Sequence, residues 1–274
     1  MNLNKWVGEK FHYLTIVEEP FSYYDGKQKR WKVKCQCDCG NVKEIGLREI
    51  KKGITKSCGC WQKYSVNYNF FEKIDNKEKA YVLGLWYADG SVHSNGNTIS
   101  IGMCDLDIIE KIRKEIKYNG PIYVLKNKSK NQKKCYKLYI SSLKLKTDLI
   151  KWGCVPRKSH CLQFPQNIPD NLMSHFICGL FDGDGCLSKY RSGKWCISIA
   201  GTKNICEGLQ NYLRYGGIYI NRINPNTKYE TWAWRIYSKN NIRVFLDYIY
   251  KDTVIYLERK YKKYQEFIID EFGC

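Results

Sequence analysis

The second half of this 274-residue chain repeats the first, and no other feature limits its fold as strongly. AYVLGLWYADGSV, beginning at Ala80, corresponds to HFICGLFDGDGCL, beginning at His175, and NTISIG corresponds to WCISIA. KYNGPIYV corresponds to RYGGIYI, and CYKLYIS to AWRIYSK. These matches keep one order at offsets of about 95 to 98 residues, a register that chance similarity does not hold. Within each copy, runs with a period near 3.6 (DLDIIEKIRKEIKY, TKNICEGLQNYLRY) alternate with period-2 runs. The order reads helix, two strands, helix, two strands, helix. The expected fold is therefore α+β, with one repeat over residues 76–170 and a second over 171–274. Residues 63–75 have no clear period and are expected to be a linker with few contacts.

Each copy opens on an unusual helix. Gly84 and Ala88 lie four apart, as do Gly179 and Gly183, so each helix carries a stripe of very small residues on one face. A glycine inside a helix costs about 1 kcal/mol relative to alanine. Two helices weakened in the same way make sense as a pair packed backbone to backbone. Each helix ends in Asp followed by Gly, at Asp89-Gly90 and Asp184-Gly185. Glycine is a common helix stop, but an acid in the last turn opposes the helix dipole. If the helices lie side by side in parallel, the two acids also repel each other. A bound cation removes both penalties, and hard oxygen ligands favour Mg²⁺.

VLGLWYADG (82–90) and ICGLFDGDG (177–185) resemble the paired motifs that name the LAGLIDADG family. The resemblance covers roughly residues 76 to 268, with one departure: Tyr87 stands where the second motif has Asp182. It implies a duplicated αββαββα fold, two curved antiparallel sheets forming a pseudo-twofold saddle along the major groove of DNA. It also implies a site-specific homing endonuclease that hydrolyses both strands of a long asymmetric double-stranded DNA target and leaves 3′ overhangs. Asp89 and Asp184 are the implied catalytic acids, with Ala88 and Gly183 beside them among the ligands of two or three Mg²⁺ ions. Members of the family carry a lysine near the end of each repeat. The matching residues are Lys158 in GCVPRKS and Lys260 in YLERKY, placed to orient hydrolytic water and offset phosphate charge.

Period-2 alternation then gives an expected DNA-facing side. In the fourth strand of each repeat, Tyr136, Leu138 and Ile140, like Trp232, Trp234 and Ile236, face the helices. Lys137, Tyr139 and Ser141, with Thr231, Arg235 and Tyr237, face DNA. Lys126, Lys128, Lys130 and Arg222 add phosphate contacts or base readout.

Five of the fourteen cysteines crowd into residues 35–60, in the pattern CQCDCG followed by SCGC. Two close cysteine pairs on tight glycine turns suit one tetrahedral thiolate site, and zinc is the expected metal. Cys37, Cys39, Cys58 and Cys60 flank the turns and are the expected ligands; Cys35, two residues back, is the alternative to Cys37. Residues 1–62 are thus expected to form a small β-rich module held together by one structural zinc.

Lys+Arg total 46 against Asp+Glu 27, a net charge of +19 spread along the whole chain. That excess points to a polyanion bound on folded surface. No window approaches the length of a membrane span and no export signal begins the chain, so no membrane partner is expected and the expected location is the cytoplasm of a bacterial or phage-infected cell, beside the nucleoid. A monomer with internal pseudosymmetry fits the duplication. The competing reading is a binding protein of the same family, either a maturase acting on intron RNA or a DNA-binding regulator with a silent active site. Retention of both acids and both lysines favours the enzyme.

Overall fold

The computed structural model describes residues 6–59, 64–125, 133–217, 222–226 and 231–273, with the side chains of residues 222 and 226 outside the description. The N-terminal segment is a five-stranded antiparallel sheet: β1 (Lys10–Phe11), β2 (Leu14–Ile16), β3 (Phe21–Tyr24), β4 (Lys29–Cys37) and β5 (Val42–Gly46). The long β4 pairs with β2, β3 and β5. Its alternate residues Val33, Cys35 and Cys37 join Leu14, Ile16, Ile45 and Ile50 of helix α1 (Leu47–Lys51) in a small core of their own.

The remainder is one larger core shared by the two repeats. The first comprises α2 (Lys77–Ala88), β6 (Gly90–Val92), β7 (Thr98–Met103), α3 (Leu106–Glu115), β8 (Tyr123–Leu125), β9 (Cys135–Ser141) and α4 (Leu143–Lys151). The second comprises α5 (Asp170–Asp184), β10 (Gly185–Lys189), β11 (Trp195–Gly201), α6 (Lys203–Tyr215), β12 (Arg222–Asn226), β13 (Thr231–Ile236) and α7 (Lys239–Tyr250). Both therefore run αββαββα, as expected, and the sheets share one antiparallel order, β6-β7-β9-β8 and β10-β11-β13-β12. The registers also match: Gly90 pairs with Ile101 and Ile101 with Leu138, as Gly185 pairs with Ile199 and Ile199 with Trp234. Leu138 thus corresponds to Trp234, which shows that the match of CYKLYIS to AWRIYSK was slipped by two residues. An even slip leaves every side chain on the same face.

α2 and α5 lie against each other through the middle of this core. α2 is buried on every side from Ala80 to Tyr87, as a helix that is apolar all round must be. Asn76 caps it, its side chain accepting from the Lys79 N–H at 2.8 Å. The small-residue stripe is the contact. A Cβ added at Gly84 would lie 2.0 Å from the Phe176 carbonyl oxygen, and one at Gly179 would lie 2.0 Å from the Tyr81 carbonyl oxygen. The two clashes are reciprocal, which is what an approximate twofold between the repeats requires. The amphipathic helices cover one face of each sheet, α3 and α4 with Ile108, Ile109, Ile112, Leu145 and Leu149, and α6 and α7 with Ile205, Leu209, Ile242, Phe245 and Leu246.

Two parts depart from expectation. Residues 64–75 are not a loose connector: Phe70, Phe71 and Ile74 are buried in the main core, and the Asn67 N–H donates to the Ile116 carbonyl at 2.8 Å. Burying each such side chain is worth roughly 1.5–3 kcal/mol, so the segment is anchored although it lacks a period. The repeats also end differently. The second continues into a long helix, α8 (Glu258–Phe272), whereas the first has only a single 3₁₀ turn at Lys158–His160.

Candidate active site and nucleic-acid face

The parallel course of α2 and α5 brings their C-terminal ends together. The Asp89 N–H closes the last turn of α2 on the Leu85 carbonyl, and Asp184 is the last residue of α5. Neither following glycine has positive φ, so a left-handed helix stop is not why glycine stands there. The reason is space. A Cβ on Gly90 would lie 2.2 Å from the Trp86 ring, and one on Gly185 would lie 2.2 Å from the Phe181 ring. Both glycines let the chain turn sharply into the first strand across an aromatic side chain, leaving the acid at the corner. Gly183 brings the acids closer still, since its Cβ would meet the Ala88 Cβ at 2.1 Å and Asp89 Oδ2 at 3.1 Å.

Lys158 and Lys260 are both buried, and each sits beneath the end of its own motif helix. Lys158 Nζ donates to the carbonyls of Tyr87 and Ala88, the latter at 3.0 Å. Lys260 Nζ donates to the carbonyls of Phe181 at 2.5 Å and Gly185 at 2.6 Å. The last carbonyls of a helix have no intrahelical partner and carry partial negative charge, so these ammonium groups complete the helix ends. Burial lowers both lysines, Lys260 to about 8. Both acids are exposed at the surface, with enough protein packed behind them to hinder their ionisation. Burial, followed by repulsion from Asp89, pushes Asp184 up to about 6. Burial also raises Asp89, opposed first by Lys260, then by Lys158 and Arg259. The centre thus holds two carboxylates whose ionisation is hindered, first by desolvation, beside two buried lysines.

Ala88 and Gly183 stand beside the acids. The Ala88 carbonyl already accepts from Lys158, leaving one lone pair, and the Lys260 contacts fall on residues either side of Gly183. Asp182 and Tyr87, where the motifs differ, both do structural work. Asp182 is fully buried and accepts from Tyr81 Oη at 2.7 Å, Tyr250 Oη at 3.2 Å and the Leu257 N–H at 2.7 Å. Leu257 leads directly into α8, so Asp182 ties the motif helix to the helix that carries Lys260. Tyr87 makes the corresponding tie by donating to the Trp152 carbonyl, just beyond α4. One contact escaped sequence reasoning: Arg259 Nε donates to both oxygens of Asp105 at 3.1 and 3.0 Å, crossing from the second repeat to the first. Its only sequence signal is its place beside Lys260.

The expected strand faces hold. Leu138, Ile140, Trp234 and Ile236 are buried towards the helices, while Lys137, Tyr139, Ser141, Thr231 and Arg235 are half-buried on the other side. Tyr136 and Trp232 are only partly buried but pack on the core. Tyr237 lies just past β13 and is exposed. On the open face the Tyr139 ring packs edge-on against Tyr123 at 5.5 Å, and Lys137 Nζ lies 4.9 Å from the Tyr139 ring. His93, Ser100 and Tyr123 belong to this face and were not singled out from sequence; His93 Nε2 and Ser100 Oγ lie 3.0 Å apart. Thr231 lines a cleft of about 180 Å³ together with Ala88, Lys158, Asp184 and Thr202, which joins the open face to the carboxylate centre. Arg222 lies on β12 opposite Arg235, with its side chain outside the description. Lys126, Lys128 and Lys130 fall outside the described residues.

In the N-terminal module, Cys37, Cys39 and Cys58 bring their sulfurs within 4.8 Å of one another. Cys39 and Cys58 Sγ are 3.4 Å apart. Three converging thiols are a soft donor set of the kind zinc takes. Cys35 packs in the module's core and is not among the three, and Cys60 falls outside the described residues. The knuckle is seated on the first repeat: the Cys39 carbonyl accepts from the Lys144 N–H at 2.8 Å, and Asn97 Nδ2 donates to Asn41 Oδ1 at 3.1 Å.

No helix among the described residues is long and apolar enough to cross a membrane. Comparison with solved structures finds I-LtrWI, a LAGLIDADG homing endonuclease bound to target DNA, at 14% identity over 74% of this chain and 91% of that one, with a TM-score of 0.47. I-GzeII, another LAGLIDADG homing endonuclease in complex with a DNA target, matches at 13% identity over 70% and 88% of the two chains, with a TM-score of 0.49. The N-terminal LAGLIDADG domain of DUF199/WhiA matches at 17% identity over 72% and 93%, with a TM-score of 0.45. No curated protein gives a significant match. The LAGLIDADG-like domain matches twice, at residues 76–150 and 171–250, and the two matches cover more than half of the chain and contain both acid-tipped helices. The chain therefore belongs to the LAGLIDADG-like domain family.

Proposed function

We propose that the chain is a site-specific endonuclease that binds one long asymmetric stretch of double-stranded DNA as a monomer and hydrolyses both strands, leaving 3′ overhangs. The observation that carries this reading is the meeting of Asp89 and Asp184 at the ends of two backbone-packed helices, each with a buried lysine beneath it. Binding alone needs no such centre: two neighbouring carboxylates repel each other unless a cation joins them. Asp89 and Asp184, with the main chain at Ala88 and Gly183, are the groups to hold two or three Mg²⁺ ions. Those ions supply an activated water and neutralise charge on the phosphate under attack. Lys158 and Lys260 add fixed positive charge on the protein side of the same phosphates, already oriented by the helix-end carbonyls. Lys137, Tyr139, Ser141, Thr231, Arg235 and Tyr237 form the reading face, and Lys126, Lys128, Lys130 and Arg222 are the basic residues to add phosphate contacts or base readout. The net charge of +19 supports a partner that is itself a polyanion. Retention of the full acid and lysine set argues against a silent regulator.

Protons and metal compete for Asp184, whose carboxyl is held up at about 6. Apparent Mg²⁺ affinity should fall as pH drops below about 6, approaching tenfold per unit, and cleavage lost there should return when Mg²⁺ is raised. A cleavage rate at subsaturating Mg²⁺ that stays flat from pH 7 to 5 removes Asp184 from the metal site.

For the N-terminal module we propose one structural zinc on Cys37, Cys39, Cys58 and Cys60. Elemental analysis should give about one zinc per chain, kept through mild chelation that strips Mg²⁺. Cys58→Ser should lose that zinc and open residues 1–62 to proteolysis while the duplicated core stays folded. Full zinc content in Cys58→Ser would exclude Cys58 as a ligand.

A further inference from the structure

Cys104, directly after β7, and Cys135, the first residue of β9, place their Sγ atoms 2.8 Å apart. One step beyond the Met103–Tyr136 pair, the β7–β9 register makes them direct cross-strand partners. Cys104 is exposed and Cys135 half-buried, so reagents in solution reach the pair. The matching registers of the two sheets locate it. Ile101 and Leu138 correspond to Ile199 and Trp234, so three steps further along the ladder Cys104 and Cys135 correspond to Thr202 and Thr231. Those threonines line the cleft that holds Asp184 and Lys158. The thiols accordingly stand at the Asp89 end of the first sheet. Asp105, the next residue after Cys104, accepts from Arg259, the neighbour of Lys260 in the chain.

We propose that Cys104 and Cys135 form a dithiol site for exchange with small-molecule disulfides, closing a cross-strand bridge beside the carboxylate centre. The thiolate of Cys104, the more accessible sulfur, attacks one sulfur of the reagent RSSR; the Cys104–S–SR bond forms, the S–S bond of the reagent breaks, and RS⁻ leaves. Cys135, as thiolate, then attacks Cys104 Sγ and expels the second RS⁻. Two cysteine thiols are oxidised, one disulfide is reduced to two thiols, and the two cysteine protons end on the two RSH products. Direct cross-strand placement brings the sulfurs together without the backbone movement that a distant pair would need. Cys154, Cys178 and Cys206 are buried and do not meet the reagent.

The test uses the full-length, metal-loaded protein, incubated with oxidised glutathione, alkylated without reduction and mapped by peptide mass spectrometry. The expected product is a linked peptide pair joining residues 104 and 135, two hydrogens lighter than the separate peptides and lost on treatment with dithiothreitol. In Cys135→Ser the second step is blocked, so a glutathione adduct on Cys104 should persist at least tenfold longer than in the wild type. Full alkylation of both cysteines in the wild type overturns the proposal. So does a wild-type adduct on Cys104 as long-lived as that in the variant, or a bridge from either residue to any other cysteine.

Discussion

Asp184→Asn is expected to lower the rate of duplex cleavage by about 10³-fold or more while leaving affinity for the same duplex within about threefold. Asp89→Asn should behave alike. The expectation rests on where these groups sit: at the corner of a helix–strand turn, with a second carboxylate across the helix pair. An asparagine keeps the volume and the turn but removes one unit of charge from a cluster whose cations are held by charge. Fold and reading face lie elsewhere and should persist, so binding measured by gel shift serves as the control. If each repeat serves one strand, partial nicking by a single variant fits the assignment. Complete cutting of both strands by either variant in Mg²⁺ would refute it. Asp182→Asn, two residues earlier in the same helix, separates chemistry from scaffolding. Its carboxylate bonds Tyr81, Tyr250 and the chain entering α8, so its loss should lower stability first and cleavage only through displacement of Lys260.

Much of this arrangement was readable in the sequence because it depends on period and on duplication. Two copies of one pattern sufficed for the αββαββα order, and alternation along CYKLYIS and TWAWRIY sufficed for the two sheet faces. The acids were readable because an acid at a helix C-terminus is disfavoured and here occurs twice. What escaped depends on contacts between residues far apart in the chain. Phe70, Phe71 and Ile74 bury themselves from a segment without regular structure, so no period marks them. Arg259 and Asp105 are 154 residues apart, and Cys104 and Cys135 become neighbours only through strand register. The role of Gly90 and Gly185 was read as helix termination when it is clearance from an aromatic ring four residues back, a distinction that needs coordinates. The lysines were placed by resemblance alone; that they are buried and cap the helices could not be seen among 46 basic residues.

Gly179→Leu is expected to destabilise the fold by about 3 kcal/mol or more, and even Gly179→Ala by about 2 kcal/mol, because no free space exists at this position. A Cβ there would stand 2.0 Å from the Tyr81 carbonyl oxygen and 2.8 Å from the Leu85 nitrogen, against ordinary contacts of 3.4–4 Å. Neither obstacle is the end of a flexible side chain. Both are backbone in the middle of α2, so the only relief is to move one helix away from the other. That movement would open the main core, which both helices pack into from Tyr81 to Phe181, and it would separate Asp89 from Asp184. Gly84→Ala meets the same obstacle in reverse, its Cβ falling 2.0 Å from the Phe176 carbonyl oxygen. The reciprocity supplies a sharper test than either single variant. Once one alanine has pushed the helices apart, the second needs little further movement, so the double variant should cost clearly less than the sum of the two. Urea denaturation of the four proteins measures this directly. Additive losses would show that each glycine is accommodated locally. A loss below about 1 kcal/mol for Gly179→Leu would place that helix face in open space and undo the paired-helix basis of the carboxylate centre.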